Sequence, residues 1–293
     1  MAQERLQILI SAVNANARSL PMSMGIESDA VIVNQIIPDD GSDDSNSKSG
    51  VIKEDKGSFA ENRVAFCENA VEEVEYNGNR VRILTRHEKG VGLSRNTALE
   101  ASDHEIIQFA DADIVYDKGY ADKITAEFDS HPEADILLFN VKAQEGRETY
   151  WNEDYARVTW KNYGRYPAYA ICARRERLVE SGVRYSLLFG GGAPYMNGED
   201  SLFLHDCLKA GLSVYRTDKA LGHELKGEST WFKGYTDKFY FDRGVLYHFL
   251  YGNLAFLWGF RFLFKGGRKM CAGNSFWHCY HLLLKGAAQG RRV

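Results

Sequence analysis

Short runs of aliphatic and β-branched residues recur through the first half of this chain, and polar residues follow each one closely. Leu6–Val13 stops at Asn14, residues 30–33 stop at Asn34-Gln35, and residues 81–84 stop just before Thr85-Arg86. Residues 105–109 lead almost directly into Asp111-Ala112-Asp113, and residues 135–141 form a fifth run. Between them, residues 93–101 and 120–128 have helical spacing, while the short link around Pro21 holds only a modest helix. Strands alternating with helices predict an α/β domain with a mixed, mostly parallel sheet flanked by helices. Ligands of such sheets sit beyond the carboxyl ends of the strands. Asn14, Asn34, Arg86 and Asp111 fall at those ends.

The length of 293 residues allows one or two domains. With 44% hydrophobic and 26% charged residues, the chain has enough apolar material for a core, so a wholly disordered chain is excluded. The net charge of −4 argues against a nucleic-acid partner. That charge is unevenly spread. Residues 243–293 contain eight Lys and Arg and no Asp or Glu, so all the acid lies before them. Residues 1–242 read as one catalytic domain, with 38–62 as a polar, flexible insertion, and 243–293 as a helical, aromatic and basic extension. Five widely spaced cysteines without a CxxC fit reduced thiols. The spacing of Cys271, His278, Cys279 and His281 matches no common zinc pattern.

Three constellations carry chemistry. In an extended segment Asp111 and Asp113 leave on the same side, so they can hold one hard divalent cation. Upstream, Lys89-Gly90-Val91-Gly92-Leu93-Ser94-Arg95-Asn96 opens a helix whose glycines and free N–H groups suit a phosphate. Downstream, Gly198-Glu199-Asp200 opens another helix, where a carboxylate is placed to act as a general base. Each has a plainer reading: solvated turn aspartates, an ordinary helix entry, and acids that favour a helix N-terminus. His223, just after a strand, is either a metal ligand or a solvated imidazole.

Taken in order along residues 6–242, these elements resemble glycosyltransferase family 2 enzymes with a GT-A, Rossmann-like fold. Gly92-Leu93-Ser94-Arg95-Asn96 is similar to that family's "G-x-[SA]-x-[AS]-R-N" helix start, Asp111 and Asp113 to its DxD motif, and Glu199-Asp200 to its "ED" motif. The resemblance implies an inverting, metal-dependent transfer of sugar from a nucleotide-diphosphate sugar, with a UDP-sugar favoured. The acceptor would be a hydroxyl of a glycan or lipid-linked molecule in bacterial surface-polysaccharide or cell-wall synthesis. Asp200, with Glu199 beside it, would be catalytic. Asp111, Asp113 and His223 would hold Mn²⁺ or Mg²⁺. Asn14, Asn34, Asp40, Arg86, Gly92, Arg95 and Asp111 would line the nucleotide-sugar site. The family commonly has an Asp at the end of its second strand. Here either Asn34 replaces it, the slightly favoured option, or the strand runs on to Asp40 in Asp39-Asp40-Gly41-Ser42.

Two other functions stay open on sequence, a sugar-phosphate nucleotidyltransferase and a non-catalytic nucleotide-sugar-binding scaffold. The first is expected to carry a glycine-rich loop after strand one, which Ser11–Asn16 lacks. No signal peptide is visible, so a cytoplasmic location is expected. In the extension, residues 244–260 lack Asp, Glu, Lys and Arg but contain His248, Asn253 and three glycines. Contact with an anionic membrane surface on the cytoplasmic side, a packed helical lid and a membrane span are the readings of this segment, in that order.

Overall fold

The structure, a computed structural model, describes residues 4–38, 69–225, 227, 234–271 and 273–293. Asp40, the rest of the insertion from 39 to 62, Cys67 and residues 229–233 lie outside the described residues.

One ten-stranded sheet organises the molecule. Its main strands are β1 (Leu6–Val13), β2 (Asp29–Gln35), β4 (Asn79–Arg86), β5 (Ile106–Asp111), β7 (Ile136–Lys142) and β10 (Val214–Glu224), and all six run in one direction. Four others run against them: β3 (Ala70–Tyr76), β6 (Ile114–Tyr116), β8 (Ala156–Arg157) and β9 (Ile171–Arg174). The order is β3-β4-β2-β1-β5-β9-β7-β10-β6, with β8 beside β10. The mixed, mostly parallel sheet expected from sequence is therefore present.

Both faces of the central strands are covered, which is why they are almost continuously apolar. In β1, Leu6, Ile8 and Ile10 face one core with α1 (Leu20–Met24) and α3 (Tyr120–Ser130). Leu9 faces the other core, with α2 (Val91–Ala101) and α5 (Glu199–Lys209). A short α4 (Arg175–Glu180) follows β9.

The four reversed strands were not legible as strands. β3 was missed although Asn77-Gly78, both at positive φ, closes a two-residue hairpin into β4. β9 has four residues, too few to show a period, and is held antiparallel between β5 and β7.

Beyond the sheet lie α6 (Asp237–Tyr251), α7 (Ala255–Met270) and α8 (Phe276–Gly290). Thr236 and Ser275 cap α6 and α8 through their hydroxyls. A Cβ on Gly244 would meet the Leu283 carbonyl oxygen at 2.1 Å, and one on Gly286 would meet that of Phe241 at 1.9 Å. These glycines let the two helix backbones touch. The expected boundary at 242/243 falls inside α6, which begins at Asp237. Among the described residues no helix is long and apolar enough to cross a membrane.

Candidate active site

β5 is buried along its length until Asp111, which therefore emerges at the carboxyl edge of the sheet. Helix α2 packs across β1 and β2, with Arg95 on its second turn reaching over to β5. Glu199 and Asp200 open α5, where the exposed N–H groups of the first turn favour negative charge. A glycine run joins the two helix starts. Val91 N–H donates to the Gly191 carbonyl at 2.9 Å, and a Cβ on Gly190 would strike Val91 and Glu199. Only a backbone without side chains passes through that gap.

Arg95 is the centre of this arrangement, with 3% of its surface exposed. It donates to Asp200 Oδ1 at 2.8 Å and to Asp111 Oδ1 at 3.0 Å, and lies 3.5 Å from Glu199 Oε1. Its guanidinium sits over the Tyr185 ring, 5.0 Å from the centroid. Tyr185 is itself stacked on Phe203 of α5 at 4.1 Å, and its backbone is bonded at both ends to the Asn96 amide. Sequence reasoning did not single out Tyr185. Its signal was weak, because a lone tyrosine in a loop looks like any other.

One cation thus serves three carboxylates. Burial opposes the charge on Arg95, but Asp200 and Asp111 outweigh it and keep the guanidinium protonated far above its ordinary range. Burial also pushes Asp200 up to about 7; Arg95 opposes this, while Glu199 and Asp111 add to it. Its side chain keeps 21% of its surface, so a substrate can reach it. Partial withdrawal from water, then the charges of Asp111 and Glu224, push Asp113 up to about 6.

Among the described residues no three His, Cys, Asp or Glu side chains converge into a closed metal cage. A hard cation that binds together with a phosphate needs only one or two protein carboxylates, the rest of its oxygens coming from substrate and water. The surplus negative charge at Asp111 and Asp113 fits such a cation. His223 and Glu224 are consecutive residues of β10, so their side chains leave on opposite faces. Glu224 is, after Asp111, a residue whose charge acts on Asp113, and it was not among the expected site residues. His223 is exposed, in register with Val115 and Lys142. Both His223 and Glu224 line a cavity of about 1010 Å³ with Trp151, Lys142 and Gln144.

At the neighbouring ends of β1, β2 and β4 the expected nucleotide residues have partners within the chain. The Asn34 amide bonds both ends of Ala15, donating to its carbonyl at 2.9 Å and accepting from its N–H at 3.1 Å. Asn14, at φ 47°, makes the same reciprocal pair with Ile37, at 3.0 and 2.9 Å. Arg86 turns back onto the carbonyls of Thr85 and Ala70. A Cβ on Gly92 would lie 2.3 Å from the Ser186 carbonyl oxygen, so that glycine is required by the chain's own packing. Gln35, buried beside Asn34, donates to the Gly90 carbonyl and ties β2 to the start of α2.

Residues 51–183 match the family model described as glycosyl transferase family 2. None of the curated proteins matches this chain in sequence. Among solved structures, S. aureus TarS residues 1–349 in complex with UDP-GlcNAc superposes with a TM-score of 0.57, at 17% identity over 96% of this chain and 79% of that one. The same protein in complex with UDP gives 0.53, at 16% identity over 92% and 73%. A longer TarS structure gives 0.52, at 16% identity over 93% of this chain and 44% of that one. Residues 51–183 are thus similar to glycosyltransferase family 2, and the chain as a whole shares the fold of these TarS structures.

Proposed function

We propose that this glycosyltransferase moves a sugar, with inversion, from a nucleotide-diphosphate sugar to a hydroxyl of a glycan or lipid-linked acceptor in bacterial surface-polysaccharide synthesis. The observation that carries this reading is Arg95, which holds Asp111 and Asp200, residues 89 positions apart in sequence, on one guanidinium. It joins a carboxylate suited to the donor diphosphate to a carboxylate suited to an acceptor proton. A UDP-sugar is the favoured donor, supported by the UDP-GlcNAc and UDP bound in the TarS structures of the same fold.

Asp200 accepts the proton of the acceptor hydroxyl. A carboxylate whose pKa lies near 7 is matched to that task, because it is both available as a base and strong enough to act. The hydroxyl oxygen then attacks the anomeric carbon from the face opposite the leaving diphosphate, which inverts the configuration. Asp111 and Asp113 would hold Mn²⁺ or Mg²⁺, whereas the expected third ligand, His223, does not converge with them. When bound, the metal neutralises charge that builds on the leaving diphosphate. Arg95 fixes the position of Asp111 and Asp200, and burial, with a smaller contribution from Glu199, keeps the pKa of Asp200 high. A cytoplasmic site of action accords with such a donor and with free cysteines at 172, 207, 271 and 279.

A thermal-shift series with UDP-, GDP-, CMP- and dTDP-sugars, each with and without Mn²⁺, tests the donor assignment. A ligand that binds only the folded protein raises its melting temperature. A Mn²⁺-dependent rise with UDP-sugars is expected. If a well-folded protein responds to none of them, the donor site is assigned wrongly.

A further inference from the structure

The C-terminal helices leave uncovered what the rest of the molecule buries. In α7, Ala255, Gly259 and Leu263 face inward at helical spacing. On the outer side Phe256, Phe260 and Phe264 form a stripe one turn apart, and Phe264 is 74% exposed. The stripe continues onto α8. Phe260 meets Phe276 at 5.4 Å and Tyr280 at 5.7 Å, and Trp277, 69% exposed, packs at the edge of both rings. The result is one continuous aromatic surface across two helices.

Cations flank it. Arg261 and Lys265 lie one turn apart on α7, and Lys285 lies on α8, all exposed. Among the described residues none of the three forms an ion pair, whereas Arg5, Arg80, Arg95 and Arg177 of the sheet domain are all paired with carboxylates. No acid occurs between residues 243 and 293 to neutralise them. An exposed aromatic stripe beside unpaired cations is complementary to a surface that is apolar beneath and anionic above.

We propose that this face of α7 and α8 docks on an anionic lipid bilayer, lying in the interface with Phe264 and Trp277 inserted and Arg261 and Lys265 among the headgroups. The docked face is joined to the catalytic loop. The buried Asp242 of α6 accepts from Met196 N–H at 2.8 Å, Arg243 reaches Asn197, and a Cβ on Gly198 would strike Leu246. The residues that precede Glu199 and Asp200 are therefore held by the same helix that α7 and α8 pack against. Docking would bring the acceptor side of the site to a fixed height above the membrane, as a lipid-linked acceptor requires.

Co-sedimentation of the full chain with vesicles of phosphatidylcholine, alone or mixed with phosphatidylglycerol, at low and high salt tests this. Binding is expected to the anionic vesicles at low salt, with marked loss at high salt. Phe264→Ser combined with Trp277→Ser should abolish it. Arg261→Glu combined with Lys265→Glu should weaken it by about tenfold or more. Both variants should melt at the temperature of the parent chain, because the replaced side chains are exposed. Recovery of the parent chain in the soluble fraction with every vesicle would overturn the proposal, as would binding by both variants as tight as that of the parent chain. A concentration-dependent dimer that Phe264→Ser dissolves, without vesicle binding, would assign the face to a second copy and overturn it too. Because none of these readouts uses the donor, they stand apart from the assignment of the reaction.

Discussion

At the ends of β1 and β2, Asn14 and Asn34 spend their amides on the backbones of Ile37 and Ala15. At the end of the neighbouring β5, Asp111 shares one buried arginine with Glu199 and Asp200, with Asp113 close by. The first end is neutral and its polar groups are satisfied from within the chain. The second carries more negative charge than the chain itself balances. Groups of the first kind set the shape of loops, while groups of the second kind hold a field that a proton, a cation or a substrate completes. The two ends should therefore respond differently to substitution, with loss of stability dominating at one and loss of chemistry at the other.

The largest effect is expected at Arg95, where the two consequences coincide. Arg95→Met leaves three carboxylates facing one another without their cation, and removal of one partner from a buried ion pair typically costs about 3–5 kcal/mol. Chemical denaturation would measure it, and adding Asp200→Asn in the same chain should recover part of the loss. Simple additivity of the two substitutions would mean that the contact carries no coupling. Alone, Asp200→Asn is expected to lower transfer by about 10²–10⁴-fold, the usual contribution of a general base, with donor affinity nearly unchanged. Full turnover in that variant would remove Asp200 from the role.

The same carboxylate sets a pH dependence of stability. Its pKa is raised from 3.8 in the unfolded chain to about 7 when folded, so between those values the folded state binds more protons. Stability from this group is fully present below about 4 and declines as pH rises to about 7, by at most about 1.4 kcal/mol per unit. Transfer moves the other way, rising as Asp200 deprotonates through about 7. Urea unfolding from pH 4 to 8 should therefore show a shallower decline in Asp200→Asn than in the parent chain. Parallel curves would show that Asp200 titrates alike in both states.

Much of this was legible before any coordinates. The central strands have both faces buried, so their apolar runs were unbroken and easy to read, and the polar residues that end them fell at the sheet edge. The DAD and GED segments stood out for the same reason, as acids placed directly after or before regular elements. What joins them was not legible. Arg95 could be read as a phosphate ligand, because nothing in one dimension places it against Asp200, 105 residues later. Glycines misled in a similar way. Gly92 suits a close approach to phosphate, but the atom it admits is the carbonyl oxygen of Ser186. Reversed strands such as β9 gain their hydrogen bonds only from neighbours distant in sequence, so no local period marks them. Asn34 occupied the expected strand end, and only the tertiary structure shows that its amide is turned to Ala15.

Asn34 gives the smallest effect and the finest distinction. Asn34→Ala leaves the N–H and carbonyl of Ala15 without the partner that now satisfies both, at a cost of about 1–3 kcal/mol. If the side chain only braces the loop after β1, the melting temperature falls while kcat is kept at saturating donor. If the amide also reads the nucleobase, discrimination between UDP- and GDP-sugars should change by more than stability does. Asn34→Asp separates the two further. It keeps the acceptor for Ala15 N–H but loses the donor to the Ala15 carbonyl, so it should be less stable than the parent chain in the bracing role. A variant that instead gains UDP-sugar affinity without losing stability would show that this strand end faces the nucleotide and that its bonds to Ala15 are incidental.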